Sequence, residues 1–406
     1  MYEMEREHSL HTFIYISHTK CLYIWILHSN FAQNFESNMR NFLYKSFFGL
    51  LLLSSMLACG HSCPKTAGKS KVQTDCEPFN GIYFWRTTFN VSDEEIGFLQ
   101  KHKVDRLYLR MFDVDIAQQN LMSSDEPLPI ATLIFPDSAS TAQTTSLVRD
   151  IVPVCFITLP ALKMMKGRES EYAEKIVQRM LNMSSYHGFR NKVTEVQIDC
   201  DWTGQTEDLY FSLLNHIKSL LSKEKLSLSV TVRLHQLRTS PPPVDKGVLM
   251  VYNTGSIANP HTENSILSLG DAAQYLTHSA VENYRLPLDY ALPTFSWGVW
   301  FSGDQYMGIL HRDDYSNPHY YAMVDSTHYQ VLHPHVVEER TLQKGDIIRL
   351  EKANYQTVMQ VKALLPFNEQ APARLQSVIL YHLDANKLNK YETKEITDLY
   401  RHSAGN

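Results

Sequence analysis

The amino-acid sequence predicts an α/β fold of the (β/α)8-barrel class, with a small β-containing insertion between the seventh and eighth strands. Three observations carry this: eight short β-branched and aromatic runs, helical patterns between most of them, and enough residues for one large core. The runs are 81–89, 106–112, 152–159, 195–202, 227–234, 247–253, 288–295 and 377–383. Helices are expected from Asp93 to Lys101 after the first run, Glu169 to Met183 after the third and Thr206 to Leu221 after the fourth. β-Branched and aromatic side chains suit a pleated, half-buried surface. Apolar residues at helical spacing give each connecting helix a face to lay over that surface. An open doubly wound sheet is the competing arrangement of the same elements.

Two connections exceed the ordinary length. Residues 114–150 hold an extra apolar run at 129–135. Residues 300–370 hold the insertion, in which 321–332 and 345–351 read as a small β excursion before a helix from about Lys352 to Leu365. Long loops on one face of a barrel are where function concentrates.

Residues 1–58 read as export sequence rather than fold. The stretch 1–38 has no period and reads as an upstream extension, and Met39 opens a better-formed leader. Basic Arg40 and Lys45 precede an apolar core from Phe47 through Leu53 and a segment ending at Cys59, the layout of a cleavable secretory signal. That core is shorter than the roughly 20 residues a spanning helix needs. Met56-Leu57-Ala58-Cys59 resembles the lipobox of bacterial lipoproteins. The resemblance implies a lipid on Cys59 and a membrane anchor. It implies a bacterial cell-envelope location, as an outer-membrane lipoprotein facing the periplasm or the cell surface. Residues 59–77 then form a flexible tether and 78–406 the barrel domain.

A formal net charge of −5, without any Lys/Arg stripe, argues against nucleic acid as a partner. Cys63 and Cys76 flank the tether, where an oxidising compartment permits a disulfide but two free thiols serve equally well. Cys155 and Cys200 fall on strands and are expected to be buried small apolar residues. No cysteine or histidine spacing points to a metal, His333 and His335 included, and nothing calls for a cofactor.

The fourth strand is the most informative segment. Side chains alternate between faces, so Val196, Ile198 and Cys200 should pack under helices while Gln197, Asp199 and Asp201 point to the barrel axis. Two such carboxylates sit roughly 6 to 7 Å apart, and inside a barrel they need partners. On the fifth strand Leu228, Val230, Val232 and Leu234 should face the helices, leaving Ser229, Thr231, Arg233 and His235 inward. Asp199, Asp201, Arg233 and His235 thus gather near the carboxyl edge, where barrel enzymes place their chemistry. A buried ion-pair network that fixes strand register is the competing reading, and Asp199, the deeper carboxylate, suits it better.

Residues 196–203, Val-Gln-Ile-Asp-Cys-Asp-Trp-Thr, resemble the fourth strand of family 18 glycoside hydrolases, whose motif runs Asp-x-Asp-x-Glu. This is the chitinase and endo-β-N-acetylglucosaminidase family. Met250-Val251-Tyr252-Asn253 is similar to its sixth strand, and Leu286 to Gly298 to its seventh. The resemblance implies a glycan ligand. It also implies a substrate-assisted hydrolysis in which a Glu protonates the leaving oxygen beside an Asp that holds the substrate N-acetyl group. Thr203 stands where that Glu belongs. Its hydroxyl is not acidic near neutral pH and cannot act as the general acid.

Other groups are expected at the same mouth: Asp113 and Asp115 after the second strand, Tyr252 and Asn253 after the sixth, Trp297 and Trp300 after the seventh, and His382 and Asp384 after the eighth. Asp201 with Asp113 or Asp384, if roughly 5 to 10 Å apart, would suit glycoside hydrolysis. The ordinary role of each such Asp is a helix cap or turn. Trp297 and Trp300 read either as sugar-stacking platforms or as ordinary rim and core aromatics. Arg349 and Glu351 alternate on one strand face and suggest a solvated or paired edge. Three functions remain open: an envelope lipoprotein that binds a glycan or another small polar ligand, an active glycoside hydrolase of altered mechanism using Asp201, and a purely structural envelope protein. A cleft with an open carboxyl pair favours hydrolysis, and both aspartates locked to Arg233 disfavour it.

Overall fold

The computed structural model describes residues 78–116, 126–367 and 376–403. The leader, Cys59, Cys63 and Cys76 lie outside them. Eight parallel strands run β1 (Asn80–Phe84), β2 (Val104–Ile116), β3 (Asp150–Ile157), β4 (Glu195–Asp199), β5 (Ser227–Arg233), β6 (Lys246–Met250), β7 (Leu288–Pro293) and β8 (Val378–Tyr381). Each pairs with the next in sequence, and β1 pairs with both β2 and β8. The sheet is closed, which rules out the open doubly wound arrangement. All eight expected strands are present, most of them ending earlier than their apolar runs.

The first expected helix spans Asp93–Lys101 as read from the sequence, and a capping box sets its start. Ser92 Oγ accepts from the Glu95 N–H at 3.2 Å while Glu95 reaches back to the Ser92 N–H at 3.0 Å, so amides left open at a helix start find partners. The helices Glu169–Tyr186 and Glu207–Lys223 pack against each other outside the barrel. Tyr172, Ala173, Ile176, Val177 and Met180 of one, and Tyr210, Leu213, Leu214, Ile217 and Leu221 of the other, make the apolar stripes. Cys155 and Cys200 are buried free thiols in the main core. In the second connection Pro127–Ile130 forms a strand antiparallel to the far end of β2, overlapping the extra run at 129–135 only in its first two residues.

The insertion starts at Ser296, earlier than the expected residue 300. Its antiparallel sheet has the order Gln305–Leu310, Ser296–Ser302, Ile347–Lys352, His328–Val331, Tyr321–Met323, and a hairpin joins His335–Val337 to Arg340–Leu342. It has its own apolar cluster, including Trp300, Leu310, Val331, Leu342 and Ile348. The reading of Arg349 and Glu351 as an edge pair is corrected, because their strand is central and both side chains are fully buried. Arg349 Nε donates to Glu351 at 2.7 Å, and the guanidinium also serves the Asn259 and Ile257 carbonyls. The chain returns through a helix at Tyr355–Lys362, shorter than expected and capped by Asn354. Buried Lys362 donates to the carbonyls of Asp398, Leu399 and Arg401, the acceptors left open at the end of helix Thr393–Tyr400. No described helix is long and apolar enough to cross a membrane.

Candidate functional site at the barrel mouth

The inward face of β4 follows the expected alternation. The Tyr83 hydroxyl of β1 donates across the barrel to Gln197 at 2.7 Å, and Gln197 donates on to Ser229 of β5 at 3.3 Å. One step nearer the mouth, Asp199 is buried and accepts from Thr231 Oγ1 at 2.5 Å and from Arg233 Nη2 at 3.0 Å. Burial pushes the Asp199 carboxyl above the ordinary aspartate range, against the pull of Arg233 and the Thr231 hydroxyl. Asp201 receives Arg233 Nε, and its side chain stays 53% exposed. Burial disfavours the Arg233 charge, but the Asp199 and Asp201 carboxylates outweigh it and raise the arginine above its ordinary value. One guanidinium therefore holds both carboxylates.

His235 does not continue the strand face, a correction to the sequence reading. β5 stops at Arg233, and Leu234–Arg238 is a 3-10 turn that leaves His235 exposed beside the pair. Partial burial lowers its pKa, Asp201 opposes and Arg233 adds to the lowering.

A second ion pair comes from β2, where the register slips between Arg110 and Phe112. Arg110 grips buried Asp113 through two contacts, one of them Nε to Oδ1 at 2.7 Å, and its Nη1 donates to the Trp85 carbonyl at 3.1 Å. Asp115 instead accepts from Thr158 at 2.6 Å, tying β2 to the start of a helix.

Aromatic rings floor the mouth. Tyr381 stands 5.7 Å from Tyr83, 5.8 Å from Trp85, 5.3 Å from Tyr252 and 5.6 Å from Phe295, and Trp297 stands 5.0 Å from Phe295. Tyr252 is buried, and burial pushes its hydroxyl well above the ordinary range. Asn253 sits exposed with φ at 57°, its N–H bonded to the Ile266 carbonyl at 2.7 Å. Trp297 is half-buried and donates to Glu351 at 2.7 Å, which fixes the indole on the root of the insertion.

Two expected mouth residues take structural roles. Trp300 is corrected from a ligand platform to a core aromatic: it is buried in the insertion's cluster and donates to Asp346 at 2.8 Å. Asp384 caps a short helix, accepting the Asn386 N–H at 3.0 Å. His382, half-buried, has no partner for Nδ1 among the described residues, and burial pushes its pKa down to about 4. Trp85, Arg110, Phe295 and Tyr381 belong to the mouth and escaped the sequence reading. The signal for Trp85 was its two-residue spacing from inward Tyr83. Among the described residues no group of three or more His, Cys, Asp or Glu is placed to hold a metal ion.

No protein-family model and no curated protein matches the chain. Solved structures do. The Group IV chitinase of Ostrinia furnacalis in complex with allosamidin aligns at 10% identity and a TM-score of 0.50, over 80% of this chain and 98% of that one. The spore cortex-lytic enzyme SleL of Bacillus cereus aligns at 12% identity and 0.47, over 80% and 74%. The class V chitinase of Nicotiana tobaccum aligns at 12% and 0.47, over 80% and 99%. Likeness at such identity speaks to architecture, since one barrel hosts many activities. In fold, the chain is a chitinase-like (β/α)8 barrel with an added β sheet.

Proposed function

We propose that the chain is an envelope-anchored lipoprotein whose barrel mouth binds carbohydrate without running the family 18 hydrolysis. The observation that carries this reading is the Arg233 clamp on both Asp199 and Asp201. An aspartate engaged by a neighbouring guanidinium is poorly placed to hold a substrate N-acetyl group. Thr203, two residues on, offers no proton to a leaving oxygen. The aromatic floor and the chitinase-like barrel support a sugar ligand, since ring faces stack on aromatic rings. The exposure of Asp201 favours a second reading, an altered hydrolase in which this carboxylate works with Asp113. A glycan array with product analysis on wild type and Asp201→Asn separates the two. Binding without products in both proteins is expected; turnover in wild type that Asp201→Asn abolishes would overturn the binding reading. For the anchor, Cys59→Ala is expected to abolish acyl labelling and release the protein from membranes; an acylated, membrane-bound variant would remove it.

A further inference from the structure

Beside the mouth, where β7 ends and the insertion returns, lies a cavity of about 290 Å³ whose wall includes Phe295, Ser296, Lys352, Lys387 and Lys390. Phe295 belongs to both spaces, because its ring also packs on Trp297, Tyr252 and Tyr381 of the aromatic floor. Lys387 is fixed by Ser296 Oγ and the His311 carbonyl, each at 3.1 Å, and by Asp313 at 2.9 Å. Lys390 shares that same Asp313, so one carboxylate serves two ammonium groups. Lys352 is exposed and carries no ion pair among the described residues. The acidic residue in the wall, Glu395, accepts the Glu392 N–H at the start of the last helix at 2.9 Å. Positive charge is therefore in excess here. Of the carboxylates of the mouth, Asp199 and Asp201 come from the end of β4, across the barrel from β8, while Asp113 on β2 is engaged by Arg110.

We propose that this cavity is a subsite for an acidic substituent, a carboxylate or a sulfate, on a glycan whose ring lies over Phe295 and Trp297. The proposal rests on the carbohydrate reading and narrows it to anionic glycans. Lysine ammoniums attract such groups as point charges without demanding one geometry, so both acids suit the site. The cations fixed by Asp313 shape the wall, while Lys352 and the outer face of Lys390 meet the ligand.

The test is calorimetric titration of the full folded chain with a hyaluronan tetrasaccharide, its carboxyl methyl ester and a chondroitin 6-sulfate tetrasaccharide at low salt. The acid is expected to bind at least about tenfold more tightly than its ester, with the difference shrinking as salt is added. Lys352→Gln combined with Lys390→Gln, both at exposed positions, is expected to bring acid and ester to the same affinity. A gain for the sulfated probe over hyaluronan assigns the subsite to sulfate, and parity assigns it to the carboxylate. Equal affinity of acid and ester in wild type, with no gain for the sulfated probe, overturns the subsite and leaves the carbohydrate reading standing, as does a preference that survives both substitutions. Absence of binding by all three probes and by every glycan on the array overturns both.

Discussion

At the N-terminal end of the barrel, Arg106, Asp150, Glu195, Lys246 and Asp289 form a continuous chain of ion pairs at 2.9 to 3.1 Å, with Phe79 under the Arg106 guanidinium and none of the five side chains more than 22% exposed. At the C-terminal end Arg233 holds Asp199 and Asp201, and Arg110 holds Asp113, with the Asp201 side chain 53% exposed. The residue types are the same, and the surroundings differ. In the lower network each acid meets at least one cation and every acid is mostly buried, an arrangement that fixes strand register and offers a ligand little. In the upper one a charge-bearing oxygen remains in contact with solvent above a bed of aromatic rings. The contrast shows that a buried ion pair is not by itself a site. The site begins where such a network is left open on one side.

The comparison can be broken first at its lower end. Arg106→Met leaves Asp150 with only the exposed Arg149 and Glu195 with only Lys246, so a loss of about 2–3 kcal/mol, below the cost of a wholly unpaired buried charge, is expected in urea unfolding. Ligand binding at the mouth should persist wherever the variant stays folded. A loss under about 1 kcal/mol would show that water reaches the lower network.

His382, at the upper end, sharpens the contrast through pH. Its folded pKa, pushed down to about 4 by burial, lies below the ordinary histidine value. As pH falls below about 6.5 the unfolded chain takes up a proton that the folded one refuses. Stability should therefore drop between about pH 6.5 and 4, by at most about 3 kcal/mol from this residue. His382→Gln should flatten that part of the curve, measured as urea midpoints across the window. An unchanged slope would mean that the ring protonates freely in the fold. The smallest effect is expected at Asp201→Asn, under about 1 kcal/mol in the same unfolding assay, because the lost pair is half in water. A loss as large as that of Arg106→Met would make the mouth a structural network like its counterpart below.

Much of this was legible in the sequence for a physical reason. Each barrel strand must bury both faces, so its β-branched run stands out, and β4 and β5 carry an alternation that places Gln197, Asp199, Thr231 and Arg233 inward by parity alone. His235 was misplaced because parity holds only while the strand lasts, and the chain turns at Leu234. The slip between Arg110 and Phe112 likewise hid the Arg110–Asp113 pair, since residues three apart on a regular strand face opposite sides until a bulge reverses the later one. Trp300 and Trp297 look alike in sequence. Their separation depends on which acid each indole finds, Asp346 inside the insertion or Glu351 at its root, and both partners lie some fifty residues away. The shared ring contacts of Tyr381 and Phe295 are closures between distant strand ends and leave no local pattern.

The insertion leaves the barrel and re-enters it at almost the same point. Ser296 is paired with Lys352, and the Ala353 N–H bonds to the Phe295 carbonyl at 3.0 Å. A tight hairpin could therefore bridge the two roots in place of everything between them, with no change in the distance the chain must cover. The added sheet has its own apolar cluster and is in this sense an exchangeable cassette. Lineages could lengthen, trim or replace it, and so reshape one wall of the mouth, without renegotiating the hydrogen bonds that close the cylinder beneath.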